Sequence, residues 1–319
     1  MRLGYHCSHE QFAPRDLLEY AQLAEQAGFT TAMSSEHIAP WSVRQGNSGF
    51  GWAWLGAALQ ATEMSFGSLA IPGGWRYHPV VVAHAFATLA QMFPGRVPWI
   101  AAGSGEAMNE YMVGAGWPDK DERNARMRGG VEIIRALWRG ETVTSDGLHK
   151  TKDAKLWTLP EKAPLIYGAA LSEKTAGWLG EWADGLITVN DTVPAVEKIV
   201  RAFRNNGGQG KPVVLQLQIS WDETVEQARA NVFDQWRHVA SDAPKDNLKT
   251  PEEFDAACSD VQPHHMDKKL LVTADARDIV THIREYAALG FDEIYLHDAG
   301  RNQREFLALM KEHVMPEFK

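Results

Sequence analysis

What this chain lacks narrows its chemistry before any motif is read. Its 319 residues hold two cysteines, Cys7 and Cys258, far apart and without CxxC spacing. That argues against a disulfide framework and a cysteine-based metal site. No apolar run approaches the ~20 residues that span a bilayer, so no membrane segment is expected. The N-terminal stretch MRLGYHCSHEQF lacks the apolar block of a signal peptide, and a cytoplasmic protein is predicted. Positive charge is scarce: 32 Lys and Arg face 41 Asp and Glu, a formal net charge of -9, with no Lys/Arg block. Such a chain repels phosphate backbones, and nucleic acid is not an expected partner.

Two familiar signatures are also missing. NNGGQGKP lacks the first glycine of a P-loop, and its Lys211 precedes a proline, so it reads as a helix stop and loop. His264 and His265 with Asp267 are metal-ligand residue types, but neighbouring histidines on a polar segment are ordinarily solvated, and no metal is expected.

What is present is an alternation. The strand-like runs RLGYH, FTTAMSS, SFGSLAI, RVPWIAAGSG, APLIYGA, DGLITV, PVVLQLQIS and DEIYLHD are separated mostly by helical patterns such as PRDLLEYAQLAEQAG. About eight such strands predict a single (β/α)8 TIM barrel, with a doubly wound open sheet second. Residues from about 222 to 268 have helical periodicity and no clear strand, which predicts a helical insertion near the C-terminal mouth. A barrel collects its chemistry at the C-terminal ends of its strands, here SSEH, LAIP, GSGE, GAALS and YLHDAG. The twelve tryptophans, several of them grouped at Trp41, Trp52, Trp54 and Trp75, offer flat apolar faces for stacking.

In MSSEHIAPW a carboxylate, Glu36, adjoins His37 where a strand ends, the side chain best suited to proton transfer near neutral pH. The bland alternative is a loop histidine bonded to a backbone group. An acidic partner across the mouth favours the functional reading, and Glu106 in AAGSGEAMNE supplies one. Gly103 and Gly105 there let backbone approach a ligand closely; methionine stands where a dinucleotide fingerprint needs its third glycine. Alternatively, Glu106 only complements a helix dipole. The small-residue loop Gly168, Ala169, Ala170, Leu171, followed by Ser172 as N-cap, reads either as a phosphate cradle or as ordinary capping.

Taken together, GYHxSxEQFAP at 4–14, SSEHIAPW, RYHP at 76–79, GSGEAMNE, RGGVEIIRALWRGE and LHDAGRNQREFL resemble the luciferase-like oxidoreductase superfamily, in order over nearly the whole chain. Within it, the chain is most similar to the deazaflavin-dependent glucose-6-phosphate dehydrogenase group and its FMN-using relatives. The resemblance implies a TIM barrel with insertions, a homodimer, and a catalytic His37 facing a flavin with Glu106 opposite. It implies that Glu10 and Trp41 shape the substrate pocket, with Trp75 nearby and Lys269 as the one matched phosphate-binding cation. Glu36, Ser104, Gly105 and Asn109 fall at cofactor contacts, and Leu69-Ala70 at a non-proline cis peptide behind the ring, followed by Pro72. At the phosphate loop, Ala169, Ala170 and Leu171 replace a double glycine.

The departures decide the expected ligand. TVNDT and EEFDAA carry no lysine where the dehydrogenases hold a sugar phosphate, so a neutral or aromatic substrate is expected. The bulkier loop makes FMN the expected cofactor and coenzyme F-420 the alternative. The reading is an FMN-dependent oxidoreductase, either a dehydrogenase or a monooxygenase fed by a separate flavin reductase. The alternatives are an F-420-dependent dehydrogenase of a sugar phosphate or alcohol, and a flavin-binding protein without turnover.

Overall fold

The structure is a computed structural model and describes residues 1–318. Its elements run β1 (Arg2–Cys7), α1 (Pro14–Ala27), β2 (Thr31–Ser34), α2 (Gly51–Ala61), β3 (Ser65–Ala70), α3 (Pro79–Met92), β4 (Trp99–Ala102), α4 (Ala107–Glu110) and α5 (Lys120–Trp138). A hairpin of β5 (Val143–Ser145) and β6 (Thr151–Ala154) follows, then β7 (Leu165–Ala169), α6 (Glu173–Gly180), β8 (Gly185–Val189), α7 (Val193–Phe203) and β9 (Val213–Trp221). The last part holds α8 (Val225–Trp236), α9 (Pro251–Ala256), β10 (Leu271–Thr273), α10 (Ala276–Ala287), β11 (Glu293–Asp298) and α11 (Gln303–Leu309). All pairings in the main sheet are parallel, in the order β11, β1, β2, β3, β4, β7, β8, β9, and β9 pairs with β11 to close the ring. This is a TIM barrel whose eight strands are the eight runs read from the sequence. The hairpin and β10, a three-residue strand that extends the edge at β9, are additions.

Alternation along each strand sorts side chains between the outer helices and the lumen. On β1, Leu3, Tyr5 and Cys7 join the core under the helices, which leaves Gly4 and His6 facing in. Trp99, Tyr167 and Tyr295 fill the lumen with Met33, Ile187 and Val214. Trp99 stacks on Tyr167 at 5.2 Å and meets Tyr295 edge-on at 5.8 Å. Such rings fit only because glycines face them: a Cβ on Gly67 would lie 2.0 Å from the Trp99 ring, and one on Gly4 2.3 Å from the Tyr295 ring.

Between Trp221 and Leu271 the chain is helical and lies against the loop after β2. Arg44 donates to Asp255 at 2.6 Å, Ser42 to the same carboxylate at 2.7 Å, and Trp117 Nε1 to the Asp246 carbonyl at 3.2 Å. No helix among the described residues is long and apolar enough to cross a membrane.

Gly67→Ala is expected to destabilise the protein by about 1–3 kcal/mol, the usual cost of overpacking a filled core. Urea unfolding of the variant checks this. A parent-like midpoint means the Trp99 ring has room to move.

Candidate active site

β2 ends at Ser34, and the chain leaves the sheet so that His37 and Glu36 reach different neighbours. The His37 Nδ1 is hydrogen-bonded to Glu10 Oε1, and its Nε2 lies 3.5 Å from Glu106 Oε2. Both ring nitrogens therefore face carboxylates and not backbone. Glu10, on the loop between β1 and α1, is buried and also accepts from Ser8 Oγ at 2.8 Å and Ser35 Oγ at 3.1 Å. Burial alone would lower the pKa of His37, but the Glu10 carboxylate, and after it Glu106, raise it to about 10. Burial likewise works to raise Glu10, and His37 overrides it, holding the carboxyl below its usual range. His37 is thus a cation at neutral pH.

The sign of the linkage follows from these directions. A histidine with a raised folded pKa stabilises fully below its ordinary 6.5, and that share is lost as pH rises through about 10. A carboxyl with a depressed pKa stabilises above its ordinary 4.5, and its share is lost as pH falls below that.

Glu36 sits elsewhere. Its carboxylate takes a two-pronged contact from Arg76, at 3.1 and 2.9 Å, and a 2.7 Å bond from the Tyr77 hydroxyl. Arg76 also reaches Glu110 through Nε at 3.0 Å and its backbone N–H at 3.2 Å. The three side chains are at most 3% exposed. Burial raises the pKa of Glu110, with Arg76 opposing. Glu36, Arg76 and Glu110 thus form a clamp that joins the segments after β2, β3 and β4. Asn109 is committed too: its Oδ1 accepts from Ile38 N–H at 2.9 Å, and its Nδ2 donates to Glu106 at 3.2 Å. It holds the loop that carries His37. Trp41 stacks on His238 at 5.0 Å and touches His37 and Phe254 edgewise.

The expected cis peptide at Leu69-Ala70 is corrected: no cis bond occurs among the described residues. The Leu69 carbonyl accepts from Trp52 Nε1 at 3.3 Å, and the Ala70 carbonyl from Gly103 N–H at 3.3 Å. Pro72 packs under α5, where a Cβ on Gly130 would lie 2.3 Å from its carbonyl oxygen. Gly105 has φ +82°, a backbone that favours glycine. Near the end of β7, Gly168 makes room for Leu179, whose Cδ2 would lie 2.3 Å from an added Cβ. Ala169 is half-buried, Ala170 is buried with its N–H given to the Ile187 carbonyl, and Leu171 is 76% exposed. Ser172 caps α6 by accepting from Thr175 N–H at 3.3 Å. The bulk expected to narrow this loop is thus turned inward or into solvent. Trp75 packs 5.8 Å from Trp117. Lys269 is exposed, and Lys245, which the sequence reading overlooked, is close enough for Lys269 to help lower its pKa after burial.

Two further cations were missed, because lysine and arginine at the start of a charged helix read as a solvated face. Lys120 Nζ donates to Ser104 Oγ at 2.6 Å. Arg123 is buried, lies 4.2 Å over the Trp117 ring, and keeps an Nε with no partner. Burial lowers both pKa values. Neither side chain pairs with a carboxylate among the described residues. An exposed lysine and a buried arginine with a free Nε, neither in direct contact with a carboxylate among the described residues, fit a phosphate beside Ser104 and Gly105.

The family model for luciferase-like monooxygenases matches residues 1–293. The F-420-dependent glucose-6-phosphate dehydrogenase of Beutenbergia cavernae is 34% identical over 331 residues, covering 100% of this chain and 98% of its own. That of Mycolicibacterium smegmatis is 33% identical over 332 residues, with the same coverage. Among solved structures, an F-420-dependent secondary alcohol dehydrogenase in complex with an F-420–acetone adduct aligns with TM-score 0.91 at 28% identity, over 100% of this chain and 99% of its own. A monooxygenase from Streptomyces bottropensis shares the fold, with TM-score 0.76 at 19% identity over all of both chains.

Glu10→Gln should drop the His37 pKa from about 10 toward its ordinary 6.5, as read by an NMR titration of the imidazole protons. An unmoved titration means Glu10 is not what keeps the ring charged.

Proposed function

The chain belongs to the luciferase-like monooxygenase family and is an oxidoreductase, and from that premise we propose that it moves hydride between an organic substrate and a deazaflavin of the F-420 type. The observation that carries this reading is His37, a cationic imidazole braced by buried Glu10, with its second nitrogen turned to the more exposed carboxylate of Glu106. A bound deazaflavin supplies the hydride acceptor; the chain supplies orientation and proton management.

Two features support that cofactor over the FMN expected from sequence. The glucose-6-phosphate dehydrogenase of Beutenbergia cavernae, at 34% identity, and the solved alcohol dehydrogenase, at 28%, carry F-420 in their names and span the chain. Leu171 and Ala170 do not crowd the loop after β7, which removes the steric case against a longer tail. Lys120 and Arg123 offer charge to a phosphate, a group that both cofactors carry. The lumen face beneath the mouth is apolar on the side of Leu69, Ala101 and Ala169, a surface suited to a planar ring.

The division of labour follows from charge. When a carbonyl is reduced, His37 Nε2 donates a hydrogen bond to its oxygen and Glu106 delivers the proton. When an alcohol is oxidised, Glu106 takes the hydroxyl proton while cationic His37 steadies the developing negative charge. Glu10 keeps the ring charged and fixed throughout, and Arg76 holds the loop after β3 against the loop after β2.

Fluorescence titration of the apoprotein should give tighter binding for F-420 than for FMN. Arg123→Gln should weaken either by about tenfold or more, the worth of one charge-assisted hydrogen bond. Tighter FMN binding overturns the cofactor assignment. His37→Gln should lower turnover by roughly two to four orders of magnitude with cofactor affinity nearly unchanged. Loss of binding with parent-like turnover makes the histidine a structural loop residue.

A further inference from the structure

The helical segment between β9 and β10 grips the chain just beyond His37. Trp41 follows His37 by four positions and meets its ring edge-on at 5.1 Å. Asn109 fixes the backbone between them at Ile38, but the bonds that hold residues 41–45 come largely from the helical segment. Asp255, on α9, accepts from Ser42 Oγ at 2.7 Å, from the Val43 N–H at 3.1 Å and from Arg44 Nη2 at 2.6 Å. Gln45, wholly buried, accepts the Trp41 N–H at 2.7 Å and donates to the carbonyl of Gln235, near the end of α8, at 2.9 Å. Arg44 Nε adds a 3.2 Å bond to the Asp234 carbonyl. The Trp41 ring is bounded by the same segment: His238 lies flat on it at 5.0 Å, and Phe254, beside Asp255, meets it edge-on at 5.4 Å. From outside the segment, Arg301 holds the Arg44 carbonyl at 2.7 Å. On the opposite rim the segment is joined more lightly. Trp117 Nε1 reaches the Asp246 carbonyl at 3.2 Å, and Lys249 lies 4.3 Å over the exposed ring of Tyr111.

We propose that Asp255 is a positioning residue that holds Trp41 against His37, so that the helical insertion and not the barrel sets this wall of the site. Three bonds converge on one carboxylate, and one of them comes from a guanidinium; such charge-assisted bonds are short and fix geometry. An indole has only two rotatable bonds, so fixing the backbone beside it goes far toward fixing the ring. Pro40, with its own φ locked, joins the gripped turn to the segment that carries His37. A shift of α9 is thereby passed to Trp41 and not to His37, which has a separate brace in Glu10. Asp255 is bonded to neither His37 nor Glu106 and moves no proton. The result is a division of labour: His37 and Glu106 keep their charge whatever the insertion does, while the space beside them follows it. The proposal deepens the hydride-transfer reading above and rests on it for its kinetic consequence, though not for its geometry.

The test separates geometry from turnover. In protein labelled with fluorotryptophan, the Trp41 resonance is assigned by its loss in Trp41→Phe. Asp255→Ala should shift and broaden that 19F line and leave those of Trp54 and Trp99 in place. The His37 imidazole should titrate as in the parent, because Glu10 is untouched. Asp255→Asn, which keeps an acceptor for Ser42 and Val43, should restore the parent line. With F-420 and either glucose 6-phosphate or isopropanol, whichever turns over, Asp255→Ala should lower kcat/KM by up to about a hundredfold, carried by KM, the cost of displacing a positioned group by about 1 Å. F-420 affinity should not change. A displaced Trp41 line in a protein that oxidises neither compound upholds the positioning role and sinks only the hydride-transfer reading. An unmoved Trp41 line in Asp255→Ala, or a shift shared equally by Trp54 and Trp99, overturns the proposal. So does a displaced Trp41 with parent-like kcat/KM, since Trp41 is then no wall of the site.

Discussion

A carboxylate that is buried and still ionised needs a cation against it, and in this barrel the requirement is met at Glu10 by His37. Glu10 has no arginine or lysine bound to it; its other bonds come from the neutral hydroxyls of Ser8 and Ser35. The imidazole must therefore stay protonated for the loop to stay folded as it is. Keeping the proton on His37 fixes which nitrogen faces outward and puts a charged hydrogen-bond donor at the mouth. The arrangement costs desolvation of both charges, which explains why three further side chains are spent on it. Asn109 holds the backbone after His37, and the two serines saturate the second oxygen of Glu10.

The same accounting of charge runs through the rest of the mouth. Arg76 stands between Glu36 and Glu110, one cation for two carboxylates, and burial raises the pKa of Glu110 with Arg76 opposing and Glu36 adding to the rise. On the other side of Ser104 the imbalance reverses, since Lys120 and Arg123 have no carboxylate bound to them. Charge is thus divided across the mouth, acidic at one end and basic at the other.

The barrel was legible because each of its strands is a short β-branched or aromatic run between helices of strong period, and both signals are local. The His37 and Glu106 pair was legible for a related reason: strand ends in a barrel converge on one rim. The partnership of His37 with Glu10 was not, because a contact across 27 positions leaves no periodic trace. The contact of Glu36 with Arg76 was not legible either, since nothing in SSEH shows that RYHP, forty residues on, folds against it. The exposure of Leu171 was equally hidden, because side-chain size in a sequence carries no direction. β10 and the β5–β6 hairpin escaped notice as runs of three and four residues, shorter than any pattern can establish.

Glycine placement ties the fold to the chemistry above it. Gly4 and Gly67 let Tyr295 and Trp99 close the lumen from below, so the layer above needs no large side chains and is free to be functional. That layer divides by strand: β3, β4 and β7 contribute Leu69, Ala101 and Ala169, while β1, β9 and β11 contribute His6, Gln216 and His297. One half is small and dry, the other full of hydrogen-bonding groups. Because alternation on each strand fixes which residues face in, the division cannot be changed by moving a loop; it is built into the register of the sheet.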